Sequence, residues 1–200
     1  MNMDYPNRQQ YLQAVKSELE RNIFYHSLAL EACMAGIYDY LKNNGQLDDK
    51  EPSKPEWMLA GLVHDIDYAG ELKKEHPGHT KEVLAKYNLE ISETVHRLVL
   101  SHDAKQKMEY TTKAQWAILC ADSLKGLIVA VALVYPSKKL EDVKLSSIIK
   151  RFKKEPRFAS GTRREEVALC EKKDGLNIPI DKFIEVCFEA MKSIASTIGL

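Results

Sequence analysis

An all-α fold is what this sequence predicts. Apolar residues recur at helical spacing along nearly its whole length, and Ser or Thr followed three residues later by Glu or Gln opens several of those runs. No stretch alternates with the period of two that a half-buried strand requires. Two hundred residues, 44% hydrophobic and 29% charged, are enough for one domain with a sizeable core. We expect one domain over residues 1–200, a helical bundle at about 20–136 with C-terminal helices, about 137–200, packed on it.

Asn22 precedes a long run, Ile23 to Lys42, which Asn43-Asn44-Gly45 ends. Beyond the polar linker Gln46 to Glu51, Ser53 and Glu56 form a capping box around Pro55, a residue suited to a first helical turn. They start a helix through Trp57, Leu59, Leu62 and Val63. A short helix follows around His79 to Tyr87. Ser92 then caps one reaching Ser101, with Val95, Leu98 and Val99 on one face. Thr112 and Gln115 make a second capping box, opening a long helix that contains Asp122 and stops near Tyr135-Pro136. A helix is expected around Val143 to Phe152. Thr162 and Glu165 supply a third capping box, and a last helix runs from about Ile180 to the C-terminus.

Bulk properties exclude several classes. Lys plus Arg equals Asp plus Glu at 29 each, so no global field draws the chain to nucleic acid or a membrane surface. The basic stretch from Lys144 through Arg164 reads first as a solvated helical face, and otherwise as cations reaching over a phosphate site. Met1 to Gln13 is polar and unlike a signal peptide. The most apolar stretch, Trp116 to Tyr135, is interrupted by Asp122 and Lys125, leaving about ten residues, too few to span a bilayer. It reads as a core helix. Cys33, Cys120, Cys170 and Cys187 lie scattered in apolar patterns with no CxxC pairing. They are expected to be buried thiols in a reducing compartment, which with the missing signal peptide suggests a cytoplasmic protein.

Polar residues inside apolar helices carry the functional signal. His26 lies in Phe24-Tyr25-His26-Ser27-Leu28, His64 and Asp65 end the run from Leu59, and Asp122 interrupts Ile118 to Leu124. A buried carboxylate needs a partner or a metal. Two imidazoles and two carboxylates on three helices form a mixed nitrogen and oxygen set suited to Mn, Fe, Co, Ni or Zn. Taken singly, a helical His is commonly only hydrogen-bonded, and Asp122 could pair with Lys125 one turn later. His64 and Asp65 diverge by about 100° on a helix, so both reach one ion only where a helix end points at it.

His26, then His64-Asp65-Ile66-Asp67-Tyr68, then Ala121-Asp122 resembles the H…HD…D signature of HD-domain metal-dependent phosphohydrolases. The chain is more specifically similar to the small bacterial HD (HDIG-related) proteins. The stretch from Leu62 to Tyr68, the segment from Ala121 to Lys138 and the tail into Arg163-Arg164-Glu165 carry that similarity, which runs from about residue 8 onward. It implies an HD fold in which His26, His64, Asp65 and Asp122 bind a divalent ion, with Asp65 and His64 at the catalytic centre. A metal-bound water acidified toward neutrality would attack the phosphate ester of a small phosphorylated substrate, and the ion would polarise a phosphoryl oxygen.

The same resemblance raises a second ion. His76 follows the HD pair by a short charged loop, where dinuclear relatives place a histidine, and His102 resembles the next one; Asp65 would then bridge both ions. One ion or two remain open, and His79 competes with His76. His96 sits in an amphipathic helix and reads as structural. This chain departs from the family pattern at Asp67 and Tyr68, where many relatives have Gly and a phosphate-facing lysine. It also lacks a Gly-Tyr-Pro triplet, which argues against a cyclic-dinucleotide phosphodiesterase. Lys125 and Arg164 are the candidates to hold phosphate instead; otherwise Lys125 snorkels to solvent and Arg164 pairs with a surface carboxylate. A diiron oxygenase with the same ligands and a catalytically idle binding module are the competing functions.

Overall fold

The run from Ile23 to Lys42 lies within the longest helix, and the others pack around it. The structure is a computed structural model that describes residues 4–200; Met1 to Met3 lie outside it, so the polar N-terminal stretch is seen from Asp4. Among the described residues there is no strand. The α-helices are α1 (Arg8–Glu18), α2 (Arg21–Asn43), α3 (Lys54–Val63), α4 (Thr80–Ala85), α5 (Glu93–Ser101), α6 (Lys113–Val134), α7 (Leu145–Lys154), α8 (Arg164–Ala168), α9 (Ile180–Lys192) and α10 (Ala195–Ile198). Short 3₁₀ turns join several of them.

Local chemistry explains most of the starts. Ser53 with Glu56, and Thr112 with Gln115, form the two reciprocal capping boxes at α3 and α6, and Ser92 accepts from the Val95 amide at 3.1 Å to open α5. The third box does not form. α8 starts one residue later, from Arg163, without a side-chain cap, because Glu166 rather than Glu165 is engaged there, by Arg163 and Ser123. α7 starts at Leu145 rather than Val143, whose backbone is extended. The C-terminal run breaks after Lys192, and Ala195 to Ile198 form a separate turn of helix. α1 has no counterpart among the expectations. It buries only Tyr11, Ala14 and Val15, a stripe too brief to stand out from its polar neighbours.

α2 is buried on most sides between α3, α6 and α9. It approaches α3 closely. A Cβ at Gly61 would lie 3.0 Å from the Glu31 Cα and N and from the Leu30 carbonyl carbon, so only glycine lets the two backbones meet there. Glu31 itself is fully buried and receives Tyr5 Oη at 3.0 Å and Arg8 Nε and Nη2 at 2.8 and 2.7 Å. These bonds fasten the N-terminal segment to the back of α2.

α6 is a continuous helix, so Lys125 does not divide it. By length and composition it could cross a membrane, with a mean hydropathy of 2.1 over its most apolar stretch, yet 67% of that stretch is buried inside the protein. α9 buries Phe183, Ile184, Cys187, Phe188 and Met191, lying on both α2 and α6. Lys144, Lys150, Lys153, Lys154 and Arg157 are solvated. All four cysteines are free and buried.

Candidate metal centre

The α2–α3 approach at Gly61 sets the site. His26 stands in the second turn of α2, while α3 ends at Val63 and hands the chain to His64 and Asp65 in a turn. The Ile66 and Tyr68 amides return to the Val63 and Asp65 carbonyls at 3.1 and 2.7 Å. That turn frees the two neighbouring side chains from helical geometry, and both reach one place. Asp65 Oδ2 lies 3.1 Å from His64 Nε2 and 3.5 Å from His26 Nε2. Asp122, from the middle of α6, brings Oδ1 to 3.3 Å from both imidazole nitrogens.

The other oxygen of Asp65 faces a second pair. His76 Nε2 is 3.2 Å from Oδ1, His102 Nε2 is 3.9 Å from it, and the two imidazole nitrogens are 2.9 Å apart. His26, His64 and Asp65 form one group able to hold a metal ion, and Asp65, His76 and His102 a second. His79 is not part of it. Its exposed ring lies between Glu75 and Glu82, 2.8 Å from each. His96 also stands apart, near Glu93.

The residues fit a divalent ion on the chemistry of their donors. His64 Nδ1–H donates to the Gly61 carbonyl at 2.9 Å, His102 Nδ1–H to Val99 at 2.5 Å, and His76 Nδ1–H to Asp67 Oδ1 at 2.6 Å. Those bonds turn each Nε2 lone pair inward, the arrangement that readies a ligating imidazole. Ligand atoms about 2.1 Å from one ion and at right angles to each other lie about 3.0 Å apart, close to most of the separations here.

Charge is balanced by opposing effects. Burial works against the Asp65 and Asp122 carboxylates, yet the adjacent imidazoles, and Lys125 for Asp122, hold both well below the usual range. Burial likewise depresses His76, but Asp65 and Asp67 outweigh it and raise its pKa to about 9. Burial, reinforced by His64, outweighs the opposing pull of Asp122 and Asp65 and pushes His102 down to about 4. A protonated His76 therefore donates to a neutral His102 when no cation lies between them.

Two residues were not recognised from the sequence. Asp67, noted there only as a departure from a family pattern, is buried and accepts from both His76 Nδ1–H and the His79 amide, the latter at 2.8 Å. Arg163 places Nη2 3.1 Å from Asp122 Oδ2 and Nε 2.5 Å from Glu166. Its signal was present, since it adjoins the residue singled out, but nothing in the sequence says which of two consecutive arginines faces inward. Arg164 faces the other way and donates to the carbonyls of Arg151, Phe152, Glu155 and Phe158, tying α8 to the end of α7. Lys125 does not snorkel to solvent, and it lines a smaller neighbouring cavity rather than the cleft over the metal centre. It is wholly buried, with Nζ against Asp122 Oδ1 and 3.4 Å from His64 Nε2.

The centre opens into a cleft of about 1080 Å³ whose walls include His26, His76, Tyr68 and Ala159, with Lys73, Lys74, Lys105 and Arg163 as its cations. Comparison of the chain with family models, with curated proteins and with solved structures yields no match.

Proposed function

We propose that this chain is an HD-type phosphohydrolase dependent on a divalent metal, acting on a phosphomonoester or phosphodiester of a nucleotide or small organic molecule. The observation that carries the reading is Asp65, which turns one oxygen to His26 and His64 and the other to His76 and His102. One carboxylate serving two imidazole pairs is the arrangement expected of a centre that binds two ions and activates one nucleophile between them. The order His26, His64-Asp65, Asp122 along the chain supports the HD assignment.

Divalent ions there would lower the pKa of water and polarise phosphoryl oxygens. The chain's own residues do the rest. Asp67 and the Val99 and Gly61 carbonyls hold the imidazole tautomers. Lys125 and Arg163 clamp the two oxygens of Asp122 from opposite sides, fixing its orientation. Arg163 also remains half exposed at the cleft wall, where its planar guanidinium can meet a phosphate oxygen. Lys73, Lys74 and Lys105 around the cleft offset a dianion that the centre neutralises only in part.

The test is phosphate release from a panel of phosphate esters under anaerobic conditions, with Mn or Co added to protein stripped by chelation. Turnover that needs the metal but not oxygen is expected, and Asp65→Ala should lose metal and turnover together while remaining folded. Oxygen consumption without phosphate release, or full metal content in folded Asp65→Ala, would refute the reading.

A further inference from the structure

Beside the metal cleft lies a second cavity of about 400 Å³, walled by Tyr25 and Ala29 of α2, Val129 and Leu133 of α6, and Ile198 and Leu200 at the C-terminus. Its size falls in the range of about 300–1000 Å³ usual for small-molecule sites, and its walls are largely apolar. Three residues, Asn22, His26 and Gly126, line both this cavity and the cleft. His26 is thus a shared wall, with its Nε2 turned to Asp65 and Asp122.

Gly126 has no packing reason to be glycine. It lies inside α6, where glycine costs about 1 kcal/mol relative to alanine, and a Cβ there would meet nothing within 4 Å. Its missing side chain leaves space where the two cavities adjoin. Leu133, also on the cavity lining, is 51% exposed, so about half of it is apolar surface that the described residues leave uncovered.

We infer that the apolar cavity receives the alcohol portion of the phosphate ester bound at the metal centre, so that the substrate is an ester of an alkyl or aryl alcohol with an apolar body. This rests on the phosphohydrolase reading. Adjacency of the cavity to the cleft across Asn22, His26 and Gly126 commits it to the substrate of that centre, because an occupant of the cavity lies against the same imidazole that faces the metal ligands.

The experiment titrates the Mn-loaded full chain with n-alkylphosphonates from methyl to hexyl, and with inorganic phosphate, by calorimetry. Affinity should rise roughly fourfold per added methylene, the equivalent of about 0.8 kcal/mol for each buried CH₂. Gly126→Leu should flatten that rise, whatever it does to the affinity for phosphate itself. Leu133→Ser, at a half-exposed position, should weaken only the longer chains. Phosphate and methylphosphonate that bind with no gain on lengthening would overturn the inference and leave the phosphohydrolase reading standing. A rise that neither variant reduces would place the alkyl chain elsewhere and overturn it also. No binding of phosphate or any phosphonate would overturn both.

Discussion

Asp67 bears on metal binding without touching the candidate ion positions. Its carboxylate accepts from His76 Nδ1–H, which fixes the tautomer and raises the basicity of the opposite nitrogen. Asp67→Asn can still accept one hydrogen bond but loses the charge, so metal affinity at the Asp65–His76–His102 group should fall by about 10- to 100-fold, read by competition with a chromogenic chelator. The same pair of histidines makes stability depend on pH in the metal-free protein. His76, raised to about 9, binds its proton more tightly when folded, so its contribution is complete below about 6.5, the ordinary His value. It is lost as pH climbs toward 9. His102, lowered to about 4, contributes only above about 6.5 and is lost as pH falls toward 4. Thermal melts with chelator should therefore peak near pH 6.5. His76→Gln should shrink the decline between about 6.5 and 8.5, the remainder coming from His64 and His79, whose pKa values are also raised; above that, ionisation of the unfolded chain's thiols adds to it, because burial raises Cys120, Cys170 and Cys187.

At the scale of elements, the α2–α3 contact joins folding to chemistry. A Cβ added at Gly61 would meet α2 backbone at 3.0 Å, and the Gly61 carbonyl also takes the His64 Nδ1–H. Gly61→Ala would gain helix propensity, yet backbone on the far side cannot yield as a side-chain tip can. It should cost about 1–3 kcal/mol from overpacking, measured by urea denaturation, and should weaken metal binding by moving His26 away from His64 and Asp65. A purely local cavity effect would alter stability and spare the metal. α6 has a comparable double role. Its burial on most sides explains its hydropathy, and its central turns carry Asp122, Lys125 and Gly126 to the boundary between the two cavities.

For the whole molecule, the core does not divide at residue 136. Phe183, Ile184 and Cys187 of α9 are fully buried on α2 and α6, and Arg163 from the same C-terminal part clamps Asp122. A chain ending at Tyr135 should thus lack a cooperative thermal transition and expose apolar surface, seen as dye binding. A metal-binding, cooperatively melting 1–135 fragment would contradict that. In the intact chain, Mn should raise the melting temperature in a concentration-dependent way, because an ion bound only by the folded state stabilises it by mass action.

The sequence by itself determined the fold class, the positions of most helices and two of three capping boxes, because periodicity and capping depend on residues within four positions of one another. It also marked His26, His64, Asp65 and Asp122, since a charge inside an apolar run is costly wherever that run packs. What lay beyond it was direction. Consecutive residues leave a helix about 100° apart, so whether Arg163 or Arg164 faced the cleft depended on how α8 docks against α6 and α7. Lys125 could have reached solvent, and only the packing around α6 seals it in against Asp122. The choice of His76 over His79, the use of Asp67 and the division of Asp65 between two imidazole pairs all depend on a turn whose path is set by tertiary contact. Those contacts join residues from different helices, and no local pattern encodes the separation between them.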